Sequence, residues 1–185
     1  VQDAAAKLSV LCAQIPQNAM VLDACAAPGG KSFAAAIQMK NTGSIQSCDV
    51  HPHKMELISS GARRLGFDTI QVHLQDATKP NEEWLEQMDV VIADVPCSGY
   101  GIIRKKPDIR YKNVQQMKEL PKLQLDILEK QASYVKTGGV LLYSTCTLVQ
   151  EENEGVVEAF LEKHSEFSTE PLPLPDVFLQ NTSGM

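Results

Sequence analysis

Short continuous apolar runs alternate along the chain with segments in which apolar residues recur at helical spacing. Residues 19–25 (AMVLDAC) read as a buried strand, and residues 31–39 as the helix after it. Residues 44–49 form a second strand. Residues 52–65 form a helix with Pro52 in its first turn and Gly66 just past its end. A third strand is expected at 69–74. Residues 89–95 (DVVIADV) are nearly all apolar, as in a central parallel strand covered on both faces. A long amphipathic helix follows at 114–135, where Pro121 marks either a break or a late start. A Gly-Gly turn leads into a fifth strand at 139–144 (GVLLYS), and 151–164 is the last helix. Residues 167–185 carry three prolines and receive no assignment.

Strand–helix alternation of this kind predicts an α/β fold, a doubly wound and mostly parallel sheet. In such sheets ligands sit beyond the C-terminal ends of the strands, at the switch point of the strand order. Three segments stand out at those ends: DACAAPGGKS (23–32), DVPCSGYG (94–101) and YSTCT (143–147). No repeat or linker divides the 185 residues, so a single domain is expected. The opening VQDAAAKL resembles the interior of a segment, and the chain stops soon after its last helix. An excised catalytic domain lacking a final strand is the expectation.

Composition narrows the class. With 43% hydrophobic and 22% charged residues, the chain reads as globular. No apolar run reaches the ~18 residues of a membrane span, and no signal-peptide pattern opens the chain. Five scattered cysteines (12, 25, 48, 97, 146) without CxxC spacing argue against a disulfide framework and for a reducing cytoplasm. The four histidines give no zinc pattern, so no metal is expected; His51 and His53 flank Pro52 at a helix start. The net charge of −6 argues against a nucleic-acid binder over the whole surface. One segment departs from that average. RKKPDIRYK (104–112) holds five basic residues, Arg104, Lys105, Lys106, Arg110 and Lys112, against one acid. Directly after the second cysteine segment, it reads as a phosphate-contacting loop at a site mouth.

Residues 23–32 match neither a P-loop nor a dinucleotide fingerprint, because Cys25 and Ala27 stand where glycines would be needed. What remains is a strand, a tight turn at Pro28-Gly29-Gly30 and a helix N-terminus, whose small residues allow close backbone approach to a ligand. Asp49, ending the second strand, is placed for a ribose diol, and Asp76, after the third, for an adenine amino group. The other reading makes these acids helix caps or loop acids. A turn with two spaced acids suits S-adenosylmethionine, which has a ribose and an adenine but no phosphates.

Cys97 and Cys146 each follow a strand end. A lone free cysteine is usually apolar filler. Two of them beside a cofactor turn point instead to methylation at carbon 5 of a pyrimidine. A thiolate adding at carbon 6 makes carbon 5 enamine-like, able to attack a sulfonium methyl. Asp94 could bond the protonated ring nitrogen, and Lys31 could either lower the thiol pKa or contact the base. Amine methylation would call for an N/D-P-P-Y tetrapeptide where this chain has Asp94–Cys97.

DACAAPGGK, Asp94-Val-Pro-Cys97, RKKPDIRY at 104–111 and YSTCT followed by EENE at 151–154 resemble the Sun/Fmu (RsmB-like) family of S-adenosylmethionine-dependent RNA (cytosine-5) methyltransferases, bacterial 16S branch. The resemblance covers residues 1–167 in order. It implies a Rossmann-like class I methyltransferase fold and 16S ribosomal RNA as substrate. It makes Cys146 the nucleophile and has Cys97 help release the product. It also implies cofactor contacts at Cys25, Ala26, Ala27, Pro28, Gly29, Gly30, Lys31, Asp49, Asp76 and Asp94. An N-terminal RNA-binding domain and a further strand after Pro175, both usual in that family, are not found here. Two other readings compete. One is a catalytically inactive Rossmann-like RNA-binding or assembly factor, which would need neither thiol. The other is a methyltransferase for DNA or a small molecule, disfavoured by the basic segment and by the order of the cysteine motifs.

Overall fold

The computed structural model describes residues 4–173. Five parallel strands form one sheet: β1 (Met20–Asp23), β2 (Ser44–Asp49), β3 (Ile70–Leu74), β4 (Met88–Asp94) and β5 (Val135–Ser144), in the order β3-β2-β1-β4-β5. The helices are α1 (Ala4–Cys12), α2 (Gly30–Gln38), α3 (Pro52–Leu65), α4 (Val114–Lys118), α5 (Leu120–Ala132) and α6 (Glu154–Lys163). The chain runs outward from β1 to β3 and then returns to the other side of β1 as β4. The switch point therefore lies between β1 and β4, where a crevice opens at the strand ends.

Consecutive residues of the central strands go to opposite faces. Val21, Val90 and Ile92 pack with Val10, Ala34, Ala35 and Met39 on the α1–α2 side. Leu22, Val91 and Met88 pack with Cys48, Tyr134 and Val135 on the other, and Ala93 joins Ile127, Leu128, Val156 and Phe160 of α5 and α6. Two-sided burial is why DVVIADV carries no polar alternation. α3 leans on α2 through Gly61, where a Cβ would run into the Phe33 ring.

β2 and α3 have the expected bounds, and Gly66 closes α3 in the left-handed region at φ 70°. The expected helix over 114–135 is two helices, with Pro121 in the first turn of α5, which is its late start. β5 begins at Val135 rather than 139. The Gly-Gly pair is a bulge within it: β4 pairs Met88 with Val135 but Val90 with Val140, and a Cβ on Gly139 would lie 2.9 Å from the Asp89 carbonyl oxygen. α1 was not expected, because its alanine-rich stretch carries little periodic signal; it buries only Val10. The basic segment 104–112 holds the 3-10 turn Pro107–Tyr111. The strand sought after Pro175 lies outside the described residues. No described helix is long and apolar enough to cross a membrane.

Candidate active site

The turn after β1 is stitched to both neighbouring strands. The Ala24 N–H donates to the Ile92 carbonyl at 2.9 Å and the Ala26 N–H to the Cys48 carbonyl at 2.7 Å. Gly29 then reverses the chain at φ 107°, a conformation open in practice to glycine alone, with the Phe33 ring filling the space of any Cβ. No side chain caps the N-terminus of α2 that follows. Beneath the turn runs a buried chain of hydroxyls. Ser47 donates to Ser32 at 2.8 Å, and Ser32 donates to Asp23 Oδ2 at 2.7 Å.

Asp23 is fully buried and its Oδ1 has no hydrogen-bond partner. Burial, the dominant cause, pushes its carboxyl from 3.8 up to about 7, against the lowering bond from Ser32. Between about pH 4 and 7 the native state keeps a proton that the unfolded chain has released, so this group's contribution to stability is lost as pH rises. Urea unfolding from pH 5 to pH 8 is expected to show a loss on the order of 2–3 kcal/mol that Asp23→Asn removes. Equal pH slopes in the two proteins would contradict this.

A cleft of about 140 Å³ opens beside the turn, lined among others by Cys25, Asp49, Asp76, Ala77, Pro96 and Ile127. A second, of about 540 Å³, is lined by Cys25, Ala26, Ala27, Pro28, Gly30, Lys31 and Asp94 among others. The structure thus brings Asp49 and Asp76 to one cavity wall with the turn. Each also does the local work of the competing reading. Asp49 Oδ1 accepts from the His51 N–H at 3.0 Å, and Asp76 Oδ1 accepts from the Thr78 N–H and hydroxyl at 2.9 and 2.7 Å. The Thr78 hydroxyl bond, foremost, holds the Asp76 carboxyl below its ordinary value. Lys54 stands 3.8 Å from Asp49 on the same wall. A glycine-built turn with two carboxylates ranged along one cavity offers acceptors for the ribose hydroxyls and the adenine amino group of S-adenosylmethionine.

The two thiols meet. β4 and β5 pair Asp94 with Ser144, so the loops leaving them run side by side, and Cys97 Sγ lies 3.0 Å from Cys146 Sγ. The Cys146 N–H also donates to Cys97 Sγ at 3.2 Å. Cys146 is the exposed member. Its thiol is lowered from 9.0 to about 7, chiefly by the hydrogen bond from Cys97, with Lys106 as a lesser favourable charge. Cys97 is pushed up by donating that bond and by burial. Lys31 is ion-paired with Asp94. Its Nζ sits 2.7 Å from Asp94 Oδ2, while the Ser144 hydroxyl donates to Asp94 Oδ1 at 2.8 Å. The ion pair sets Lys31 beside the carboxylate expected to bond the ring nitrogen.

A polar network behind the thiols was not visible in the sequence. The buried Glu152 Oε2 accepts from the Ser98 N–H and from Gln124 Nε2, both at 2.9 Å, and Gln124 also donates to the Pro96 carbonyl at 2.9 Å. The Ser98 and Thr147 hydroxyls share a bond of 2.7 Å, and Tyr143 donates to the Glu152 carbonyl at 2.7 Å. Asn153 donates to the Thr147 and Val149 carbonyls. The available signals were EENE itself and a glutamine set between leucines on the inward face of α5. In the basic segment, Lys112 Nζ donates to the Ser98 carbonyl at 3.0 Å, so this cation braces the Cys97 loop.

The sheet order, with the glycine turn at its switch point, defines a Rossmann-like class I methyltransferase, and S-adenosylmethionine is the cofactor of that class. The chain matches the family model "16S rRNA methyltransferase RsmB/F" over residues 10–184 and belongs to that family. It is 44% identical over 182 residues to the probable ribosomal RNA small subunit methyltransferase B of Bacillus subtilis, covering 97% of this chain and 39% of that protein. It is 39% identical over 166 residues to ribosomal RNA small subunit methyltransferase B of Thermus thermophilus, covering 89% and 40%. The chain thus spans about two fifths of the length of these curated relatives. Among solved structures, PH0851 superposes with a TM-score of 0.91 at 36% identity, over 95% of this chain and 40% of that one. NSun6 from Pyrococcus horikoshii, solved with SFG, superposes at 0.85 and 25% identity, over 94% and 44%.

Proposed function

We propose that this chain is the catalytic domain of an enzyme that methylates carbon 5 of a cytosine in 16S ribosomal RNA through a covalent Cys146–carbon 6 adduct. The observation that carries the reading is the pair of thiols 3.0 Å apart beside Asp94, at the switch-point end of the sheet. The lowered thiol of Cys146 suits it to add to carbon 6. The carbon 5–carbon 6 pair is then pushed into the ring toward a ring nitrogen that has taken a proton from solvent and donates it in a hydrogen bond to Asp94, which leaves carbon 5 enamine-like. Lys31 holds that carboxylate in place. S-adenosylmethionine, when bound, supplies an electrophilic methyl group; Cys25 to Lys31, Asp49, Asp76 and Asp94 would hold it. Methyl transfer to carbon 5 would release the cofactor as its thioether, S-adenosylhomocysteine; carbon 5 then loses its proton to a base, and expulsion of the Cys146 thiolate, with return of the ring-nitrogen proton to solvent, restores the ring. Cys97, 3.0 Å from that sulfur, assists the last step. Arg104, Lys105, Lys106 and Arg110 supply phosphate contacts, and the RNA substrate sets a cytoplasmic location. A scaffold without catalysis would have no use for the thiol pair.

The test is transfer of labelled methyl to a 16S RNA transcript, with the label located by nucleoside analysis. The expected product is 5-methylcytidine, lost in Cys146→Ala. A wild-type protein that binds the cofactor yet labels nothing would favour the scaffold reading.

A further inference from the structure

Around Cys146 the structure leaves large apolar side chains in water. Tyr111 is 89% exposed, Leu148 83% and Tyr100 37%. Scattered exposed apolar residues are ordinary. The segments that carry these three are instead fastened to the loops of Cys97 and Cys146. The turn Tyr100–Ile102 is fastened to the nucleophile loop: the Gly101 N–H donates to the Cys146 carbonyl at 3.0 Å. A Cβ on Gly101 would come within 2.9 Å of that oxygen and 3.7 Å of Leu148 Cγ, so this turn, Cys146 and Leu148 are packed together. The turn Pro107–Tyr111 is fastened to the Cys97 loop. Ile109 is buried with its Cδ1 against Gly99, and Lys112 bonds the Ser98 carbonyl. With Ile109 and Lys112 turned inward, Tyr111 between them is directed outward. Arg104, Lys106 and Arg110 lie in the same segment, and Lys106 is near enough to favour the Cys146 thiolate. Aromatic and aliphatic surface interleaved with cations suits unpaired nucleotides, whose bases offer a face and whose backbone is anionic. A base pair inside a duplex offers no such face.

We propose that Tyr111 and Leu148 form a stacking platform for unpaired nucleotides flanking the target cytosine, Tyr111 against the face of one base and Leu148 as an apolar prop beside the reacting thiol. The inference rests on the RNA substrate proposed above. It adds that the substrate is presented as a single strand and that part of its affinity is independent of salt.

The test is fluorescence anisotropy of the full chain with a single-stranded RNA oligonucleotide, alone and annealed to its complement, across a range of salt. Wild type should prefer the single strand. Tyr111→Ala should weaken binding roughly tenfold with the salt slope unchanged, and Tyr111→Phe should keep the affinity. Arg110→Ala should instead lower the slope by about one. Equal affinity of Tyr111→Ala and wild type would overturn the platform while leaving the RNA reading standing, as would a surface that serves another protein. Tighter binding to the duplex would also overturn it. A wild type that binds neither RNA form would overturn both.

Discussion

Replacing Cys97 with alanine is expected to stall methyl transfer on a covalent protein–RNA complex and to move the ionisation of Cys146 from about 7 back toward 9. The first effect follows from the proposed role of Cys97 in releasing the adduct, and a gel-stable band of protein with RNA is its readout. The second follows from the hydrogen bond. In the native pair Cys97 donates to Cys146, which stabilises the thiolate, and alanine removes the donor. At pH 7 the thiolate fraction should fall from about one half to about one in a hundred. A more basic thiolate is intrinsically more nucleophilic, so iodoacetamide alkylation of Cys146 at pH 7 should slow by only about five- to tenfold and overtake wild type at high pH. Site-resolved mass spectrometry across pH 5.5–10 separates Cys146 from the buried Cys48 and from Cys25, whose thiols burial pushes up. Cys97→Ser keeps a donor and should fall between the two. An alkylation midpoint that stays near 7 in Cys97→Ala would remove Cys97 as the activating group. Loss of the covalent complex in that variant would reverse the assignment of nucleophile.

The second large effect is expected at Glu152, which touches neither thiol. One of its two carboxylate oxygens, Oε2, accepts from both the Ser98 N–H and Gln124 Nε2, and the Ser98 hydroxyl ties the Cys97 loop to Thr147, next to Cys146. Glu152→Ala leaves two buried donors unpaired, each worth about 1–3 kcal/mol, so a loss of about 3–5 kcal/mol in urea unfolding is expected. Glu152→Gln keeps an acceptor for the Ser98 N–H, and about 1–2 kcal/mol is expected there. The site readout is separate from stability. If Glu152 sets the spacing of the loops, Glu152→Ala should raise the alkylation midpoint of Cys146 at temperatures where the variant is still folded, while cofactor affinity, which depends on the turn after β1, stays near wild type. An unchanged midpoint would make Glu152 a stability residue with no part in positioning the thiols.

Much of this architecture is written in local pattern. A strand covered on both faces tends to be apolar along its length, so 89–95 declares itself, and Pro52 and Gly66 bracket α3 because each has a backbone preference suited to its end of the helix. The cofactor turn is legible for the same reason. The left-handed φ of Gly29 and the space filled by Phe33 are demands made within a few residues. Local pattern misleads where two signals compete: Gly-Gly reads as a turn but is a bulge against Asp89, and an alanine-rich helix has too little amphipathic contrast to be seen.

The sequence by itself determined the central strands, α3, the parallel α/β class and the residue types for group transfer. Only the tertiary structure decided which of those residues act on one another. Cys97 and Cys146 lie 49 positions apart and become a coupled pair because β4 and β5 are neighbours with Asp94 opposite Ser144. The adjacency of β1 and β4 brings Lys31, at the start of α2, to Asp94, and the β4–β5 pairing buries Glu152 under both loops. Strand adjacency is set by packing over the whole sheet and leaves no periodic trace in the chain, whereas ionisation depends on which group stands within about 3 Å of the thiol, a distance only the folded sheet defines.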